Sequence, residues 1–224
     1  MTWRLHQFPL CPFSRKVRLV LAEKNISAEL ALDYPWEQKD SFLALNPAGQ
    51  TPVLVETSRN IALPDSAAII EFLDEMFEES PLIGSAPRER AEVRRIAAWF
   101  DTKFYAEVGI PVMRERMLNR LVHKAPPDPA TLRQAIKTAD QHLDYLAFLL
   151  DHRRWLAGNM FSLADIAAAA HLSVIDYLGG IDWRPHEQVK QWYSAIKSRP
   201  SFRPLLAERM PGISPPAHYD ALDF

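Results

Sequence analysis

The chain has 224 residues, 48% of them hydrophobic and only 7 of them glycine, the balance of a compact, helix-rich protein that can bury one large core or two modest ones. A formal net charge of -2 offers no basic field to a nucleic-acid backbone, and no apolar run reaches membrane-spanning length, so neither nucleic acid nor membrane insertion is expected. The single cysteine excludes an internal disulfide, the 7 His show neither i, i+4 pairing nor grouping with Cys11 as metal ligands, and the start Met1-Thr-Trp-Arg-Leu-His6 lacks an apolar signal region; the expectation is a cytoplasmic protein without a metal site.

Trp3 to Phe8 alternates as a short strand, and Pro9-Leu-Cys-Pro-Phe13 makes a turn ending at Ser14, the expected N-cap of a helix running to about Asn25. Val17, Val20 and Leu21 stripe that helix, while Arg15, Lys16 and Arg18 crowd its first turns, where cations oppose the dipole. A Cys11 thiolate or an anionic ligand would offset that charge; plain surface charge is the alternative. Ala28 to Leu32 reads as a second strand, followed by the loop Asp33-Tyr-Pro-Trp36 and a short helix from Glu37 to Leu45. Trp36, behind a proline, is a candidate hot spot for binding a protein, with a packing anchor as the alternative.

Asn46-Pro-Ala-Gly-Gln-Thr-Pro-Val-Leu-Val55 is a turn leading into a strand, and Pro52 at its start is expected to expose backbone at a sheet edge. A short strand from Ile61 to Leu63 ends at Pro64-Asp65-Ser66, where Ser66 is expected to N-cap a helix to Glu79, and the free N–H groups and dipole there suit a carboxylate. Residues 80–87 carry the breakers of a linker, dividing a first domain, 1–79, from a helical domain, 88–199.

From Arg88 the pattern is purely helical, with an interruption at Gly109-Ile-Pro111 that should kink or split the helix. Arg114, Arg116, Arg120, His123 and Lys124 then form a basic cluster, either a dock for an acidic partner peptide or a solvated helix end. After Pro126-Pro-Asp-Pro129, Ala130 to Leu150 is amphipathic. Phe161-Ser-Leu-Ala-Asp165 reads as a capping box opening a buried central helix that Gly179-Gly180 stops, and Val189 to Lys197 is a last helix. The proline-rich tail, 200–224, ends His218-Tyr-Asp-Ala-Leu-Asp-Phe224. It either packs over its own domain or presents an acidic-aromatic peptide to another protein.

The strand, the Cys11-Pro-Phe-Ser14 turn and the Thr51-Pro52 and Asp65-Ser66 elements together resemble the glutathione S-transferase superfamily over nearly the whole chain. That resemblance implies an α/β plus all-α fold: a thioredoxin-like amino-terminal domain with a mixed four-stranded sheet, then an all-helical carboxy-terminal domain. It further implies a homodimer, a cis Pro52, glutathione held by the Val53 backbone and by Asp65 and Ser66, and Cys11, with Ser14 beside it, as candidate catalytic residues of an omega-like, cysteine-type glutathione transferase. Glutathione would be a substrate rather than a tightly bound cofactor. Tyr34-Pro-Trp36 and the terminal heptapeptide are similar to an alphaproteobacterial cell-division branch of the superfamily. That similarity implies a scaffold binding and bending filaments of the tubulin-like FtsZ through Trp36 and the basic cluster Arg114, Arg116, Arg120 and His123, with Asp223 and Phe224 facing a further division partner. The transferase is the alternative to this reading.

Overall fold

The computed structural model describes residues 2–59 and 61–222, which form two compact units, Met1–Leu82 and Ile83–Phe224. The first unit runs β1 (Trp3–Gln7), α1 (Pro12–Glu23), β2 (Ala28–Leu32), a 3₁₀ turn (Pro35–Glu37), α2 (Asp40–Leu43), β3 (Val53–Glu56), β4 (Ile61–Pro64) and α3 (Ser66–Met76). Its four strands are ordered β2-β1-β3-β4, with β1 parallel to β2 and antiparallel to β3, and β3 antiparallel to β4. The parallel pair needs a crossover, which α1 supplies. Trp3, Leu5 and Gln7 of β1 are buried, Val53, Leu54 and Val55 fill the centre, and Ile69, Ile70 and Leu73 form the buried stripe of α3. Each such aliphatic side chain removed from water contributes roughly 1.5–3 kcal/mol.

β3 is an interior strand, not an edge: pairing with β1 on one side and β4 on the other buries all four of its residues. Pro52 just precedes this strand and Pro64 lies in edge strand β4, the two places where a sheet tolerates a missing N–H. Ser14 does not cap α1, which starts at Pro12 with Cys11 at the N-cap, because proline is pre-set for the first helical position. Arg15 and Lys16 are buried rather than surface charges; Arg15 Nε donates to Pro9 O at 2.7 Å, and Lys16 Nζ lies 5.6 Å from the Phe13 ring centroid.

The second unit comprises α4 (Pro87–Ala98), a π-helical stretch π1 (Trp99–Gly109), α5 (Ile110–Met113), a second such stretch π2 (Arg114–His123), α6 (Pro129–Leu150), α7 (Leu163–Tyr177), α8 (Glu187–Lys197) and α9 (Arg203–Ala207). The expected interruption at Gly109-Ile-Pro111 takes the form of a change of helix type: π1 ends at Gly109 and α5 begins at Ile110, with αR dihedrals kept at both residues. Pro111 falls in the first turn of α5, where no N–H is required of it, and the wide turns of π1 take up the change in register. Helix α7 is buried over all 15 of its residues, and its run Ala167 to Ala170 lets its neighbours approach closely. Among the described residues no helix is long and apolar enough to cross a membrane.

The capping box of α7 forms as the sequence predicts. Ser162 is the N-cap, and Asp165 Oδ2 accepts from Ser162 N at 3.1 Å and Ser162 Oγ at 3.2 Å. Its other oxygen extends beyond the cap, accepting from Leu156 N at 2.9 Å and from Trp192 Nε1 of α8 at 3.0 Å. One carboxylate thus ties the loop before α7, the start of α7 and α8 together. The tail folds back onto this unit: Tyr219 is fully buried with its hydroxyl on Leu205 O at 3.2 Å, and His218 Nε2 lies 2.9 Å from Asp176 Oδ1, which also accepts from Trp183 Nε1 at 2.8 Å.

Candidate functional site

In the first unit, the loop after α2 and the exit from β4 border a cleft of about 300 Å³ lined by Phe13, Asn46, Gln50, Thr51, Pro52, Asp65 and Ser66 among others. The cleft wall is built by an Asx turn: Asn46 Oδ1 accepts from Ala48 N at 3.1 Å and its Nδ2 donates to Gln50 O at 2.8 Å, which fixes the chain entering the cis Thr51–Pro52 peptide. Val53 then pairs across the hairpin with Pro64, which has no N–H to give it.

Ser66 is not the cap of α3. Asp65 is, held at φ +75°, with Oδ1 accepting from Ala67 N at 2.7 Å and Ala68 N at 3.0 Å. The Asp65 carboxylate thus satisfies two of the free N–H groups that sequence reasoning left for a ligand. Ser66 is the buried first residue of the helix and still lines the cleft.

Cys11 is buried, and its Sγ–H donates to Thr51 O at 3.5 Å. The sulfur is therefore directed at the backbone of the cis-proline loop, on the cleft's border. Ser14 is fully buried, its Oγ accepting from Phe8 N at 3.4 Å, so the hydroxyl ties strand end to helix. Asn46 and Thr51 are site residues that sequence reasoning passed over; Asn-Pro-Ala-Gly is itself an Asx-turn signal that marks them.

Trp36 sits in the 3₁₀ turn, half-buried, its ring centroid 5.1 Å from that of Phe8 and 5.0 Å from that of Tyr34. His6 Nδ1 at 2.7 Å from Asp33 Oδ2 fixes the loop that carries this aromatic trio. Trp36 thus packs against Phe8 and Tyr34, as the packing-anchor reading expects, and keeps part of its surface exposed.

In the second unit, π2 carries the basic cluster. Arg114 is exposed and lies 3.8 Å from Glu115; Arg120 and His123 are exposed; Arg116 is half-buried, its Nη1 donating to Leu178 O at 2.5 Å. Lys124, at φ +52°, closes the helix by donating to Leu121 O at 2.8 Å. Asp223 and Phe224 lie outside the described residues. Among the described residues no group of His, Cys, Asp and Glu is arranged to hold a metal ion.

Comparison with known proteins bears on both units. The family models for the glutathione S-transferase N-terminal and C-terminal domains match residues 5–81 and 129–195. FtsZ-localized protein A of Caulobacter vibrioides is 51% identical over 98% of this chain and 97% of its own. Glutathione S-transferase GstB of Escherichia coli is 28% identical over 86% of this chain and 91% of its own. Among solved structures, FzlA from C. crescentus superposes with a TM-score of 0.98 at 49% identity, and a glutathione S-transferase from Rhodospirillum rubrum with 0.96 at 48%, each covering 100% of both chains.

Proposed function

The chain belongs to the glutathione S-transferase family, and from that premise we propose that it acts in bacterial cell division, in the cytoplasm, as a dimer that binds FtsZ filaments. The observation that carries the reading is the 51% identity, over nearly the full length of both chains, with a protein named for its localisation to FtsZ. Two local features support it. Trp36 packs against Phe8 and Tyr34 while staying partly exposed, a placement that suits an aromatic anchor for a protein partner. The basic residues of π2 stand on a chain of net charge -2, a local patch of the sign that steers an acidic partner. The terminal Asp223-Phe224 serves a second division partner. Electron microscopy of FtsZ polymerised with the protein tests this: curved, decorated filaments are the expected outcome, and straight, bare filaments contradict it.

Glutathione-dependent thiol transfer is a second reading, favoured by the cleft that Thr51, Pro52 and Ser66 line with Cys11 on its border. In that reaction the Cys11 thiolate attacks the sulfur of a glutathione mixed disulfide and expels the other thiol, and reduced glutathione then releases Cys11 as oxidised glutathione leaves. Calorimetric heat with millimolar glutathione and loss of turnover in Cys11→Ser support it. No heat, and a Cys11→Ser rate equal to the native one, remove it.

A further inference from the structure

A second cavity, of about 660 Å³, lies wholly within the second unit, where the end of π2 meets the turn after α7. Three cations line it, Arg116, Arg120 and Lys124, against one carboxylate, Glu115. Glu115 is already committed, its Oε2 accepting from Asn119 Nδ2 at 2.8 Å and from Asp128 N at 2.8 Å. Among the described residues no carboxylate lies within ion-pair distance of Arg116, Arg120 or Lys124. Lys124 spends its charge on the last carbonyls of its own helix, so the two guanidiniums are the uncompensated groups.

Arg116 is also fixed in place. Its Nη1 donates to Leu178 O, and Gly179, at φ +68°, gives it room: a Cβ there would lie 2.9 Å from Nη1. One of its five donors is thereby used and the fork is held without a partner anion. Burial alone pulls the Arg116 pKa below its ordinary value, since no counter-charge opposes the loss of water. A partly desolvated guanidinium fixed by its own hydrogen bond, lining the same cavity as a second one without an ion-pair partner, suits a planar anion. Leu178, Ile213, Pro126 and Pro127 give the cavity an apolar wall, and Asn119 and Ser214 are its uncharged polar members.

We propose that this cavity binds an organic carboxylate, the anionic group pairing with Arg116 and Arg120 and the hydrocarbon part lying on Leu178, Ile213 and Pro126. The assignment stands apart from the division reading, because its test contains no FtsZ. Full-length, isotopically labelled protein is titrated with 3-phenylpropanoate, acetate and inorganic phosphate, and the backbone amides of Gly179 and Ser214 are followed by NMR. The expected result is saturable shifts with 3-phenylpropanoate at about millimolar affinity, several-fold tighter than with acetate or phosphate. Arg120→Gln, at an exposed position, weakens binding about tenfold, as loss of one charge-assisted contact predicts, with the native circular dichroism spectrum kept. Lys137→Gln, an exposed cation of α6, leaves it unchanged. A capped Leu-Asp-Phe peptide that shifts the same amides assigns the carboxylate to an acidic side chain of a protein; shifts with the free acid alone assign it to a small molecule. Absence of saturable shifts at Gly179 and Ser214, equal affinity for phosphate and phenylpropanoate, or equal weakening by Lys137→Gln overturns the proposal.

Discussion

Replacing Asp165 by alanine removes the acceptor for four donors at once: the amides of Leu156 and Ser162, the Ser162 hydroxyl and the Trp192 indole. Each buried donor left unpaired costs about 1–3 kcal/mol, so the gross loss is roughly 4–12 kcal/mol. Two effects reduce it. The Ser162 hydroxyl is free to rotate to another acceptor, and the buried carboxylate itself opposes folding: burial, partly offset by those hydrogen bonds, pushes its pKa up from 3.8 to about 6. A rise of that size is worth about 3 kcal/mol. With about 1–3 kcal/mol recovered by the hydroxyl and about 3 by loss of the buried carboxylate, the net expectation centres on a loss of about 3 kcal/mol, a fall of roughly 10 °C in the unfolding midpoint of a unit this size. The pH dependence carries a sign. Between the unfolded and folded pKa values the native state holds the extra proton, so the contribution of Asp165 to stability is greatest below about pH 4 and declines as pH rises to about 6. Thermal melts followed by circular dichroism, comparing native protein with Asp165→Ala and Asp165→Asn across that range, measure both. A penalty within about 1 kcal/mol for alanine, or a native-minus-Asn difference that stays flat with pH, refutes the reasoning.

The tail and its neighbours give three more predictions. Lys197 is fully buried and burial holds its pKa down at about 8, against the pull of Asp176 and Asp220, so the folded state binds fewer protons than the unfolded between about pH 8 and 10.5. Its contribution to stability therefore rises across that window, and the native-minus-Lys197→Met difference in melting should widen in the native protein's favour; a constant difference counts against the burial argument. His218 has its pKa raised by the hydrogen bond to Asp176, so its hold on the tail is complete below about pH 6.5 and is lost as pH climbs through the raised value. His218→Ala should speed limited proteolysis within residues 208–220 several-fold at pH 6 and less so at pH 8 (about threefold or more at the lower pH), with unchanged cleavage at both speaking against the clamp. Trp36→Ala removes the outer member of the aromatic trio and should lower stability by about 1–3 kcal/mol in urea unfolding; a neutral result means the ring is not packed as described.

What the sequence carried well was whatever is decided within a few residues. Ala28 to Leu32 is the strand its pattern predicts, and Ser162 and Asp165 form the capping box that their spacing announces. The fold itself, a mixed four-stranded sheet followed by helices in a glutathione S-transferase arrangement, was legible from the turn and proline motifs. Non-local decisions were not. The interior position of β3 depends on pairing with β1, some 50 residues earlier in the chain, which no local alternation records. Asp65 and Ser66 are both capable caps, and the choice fell to Asp65 because the hairpin delivers it at positive φ with its carboxylate over the first free amides. Burial of Arg15 and Lys16, the docking of Tyr219, and the meeting of Arg116 with Leu178 and Gly179 are likewise products of tertiary contact.

Co-sedimentation with FtsZ polymerised by GTP, using FtsZ of the same organism, tests the division reading most directly. The native chain is expected in the pellet only when polymers are present, in a saturable amount, with Trp36→Ala left mainly in the supernatant while still folded. Native protein that stays in solution beside sedimenting polymers contradicts the account, whatever its affinity for glutathione.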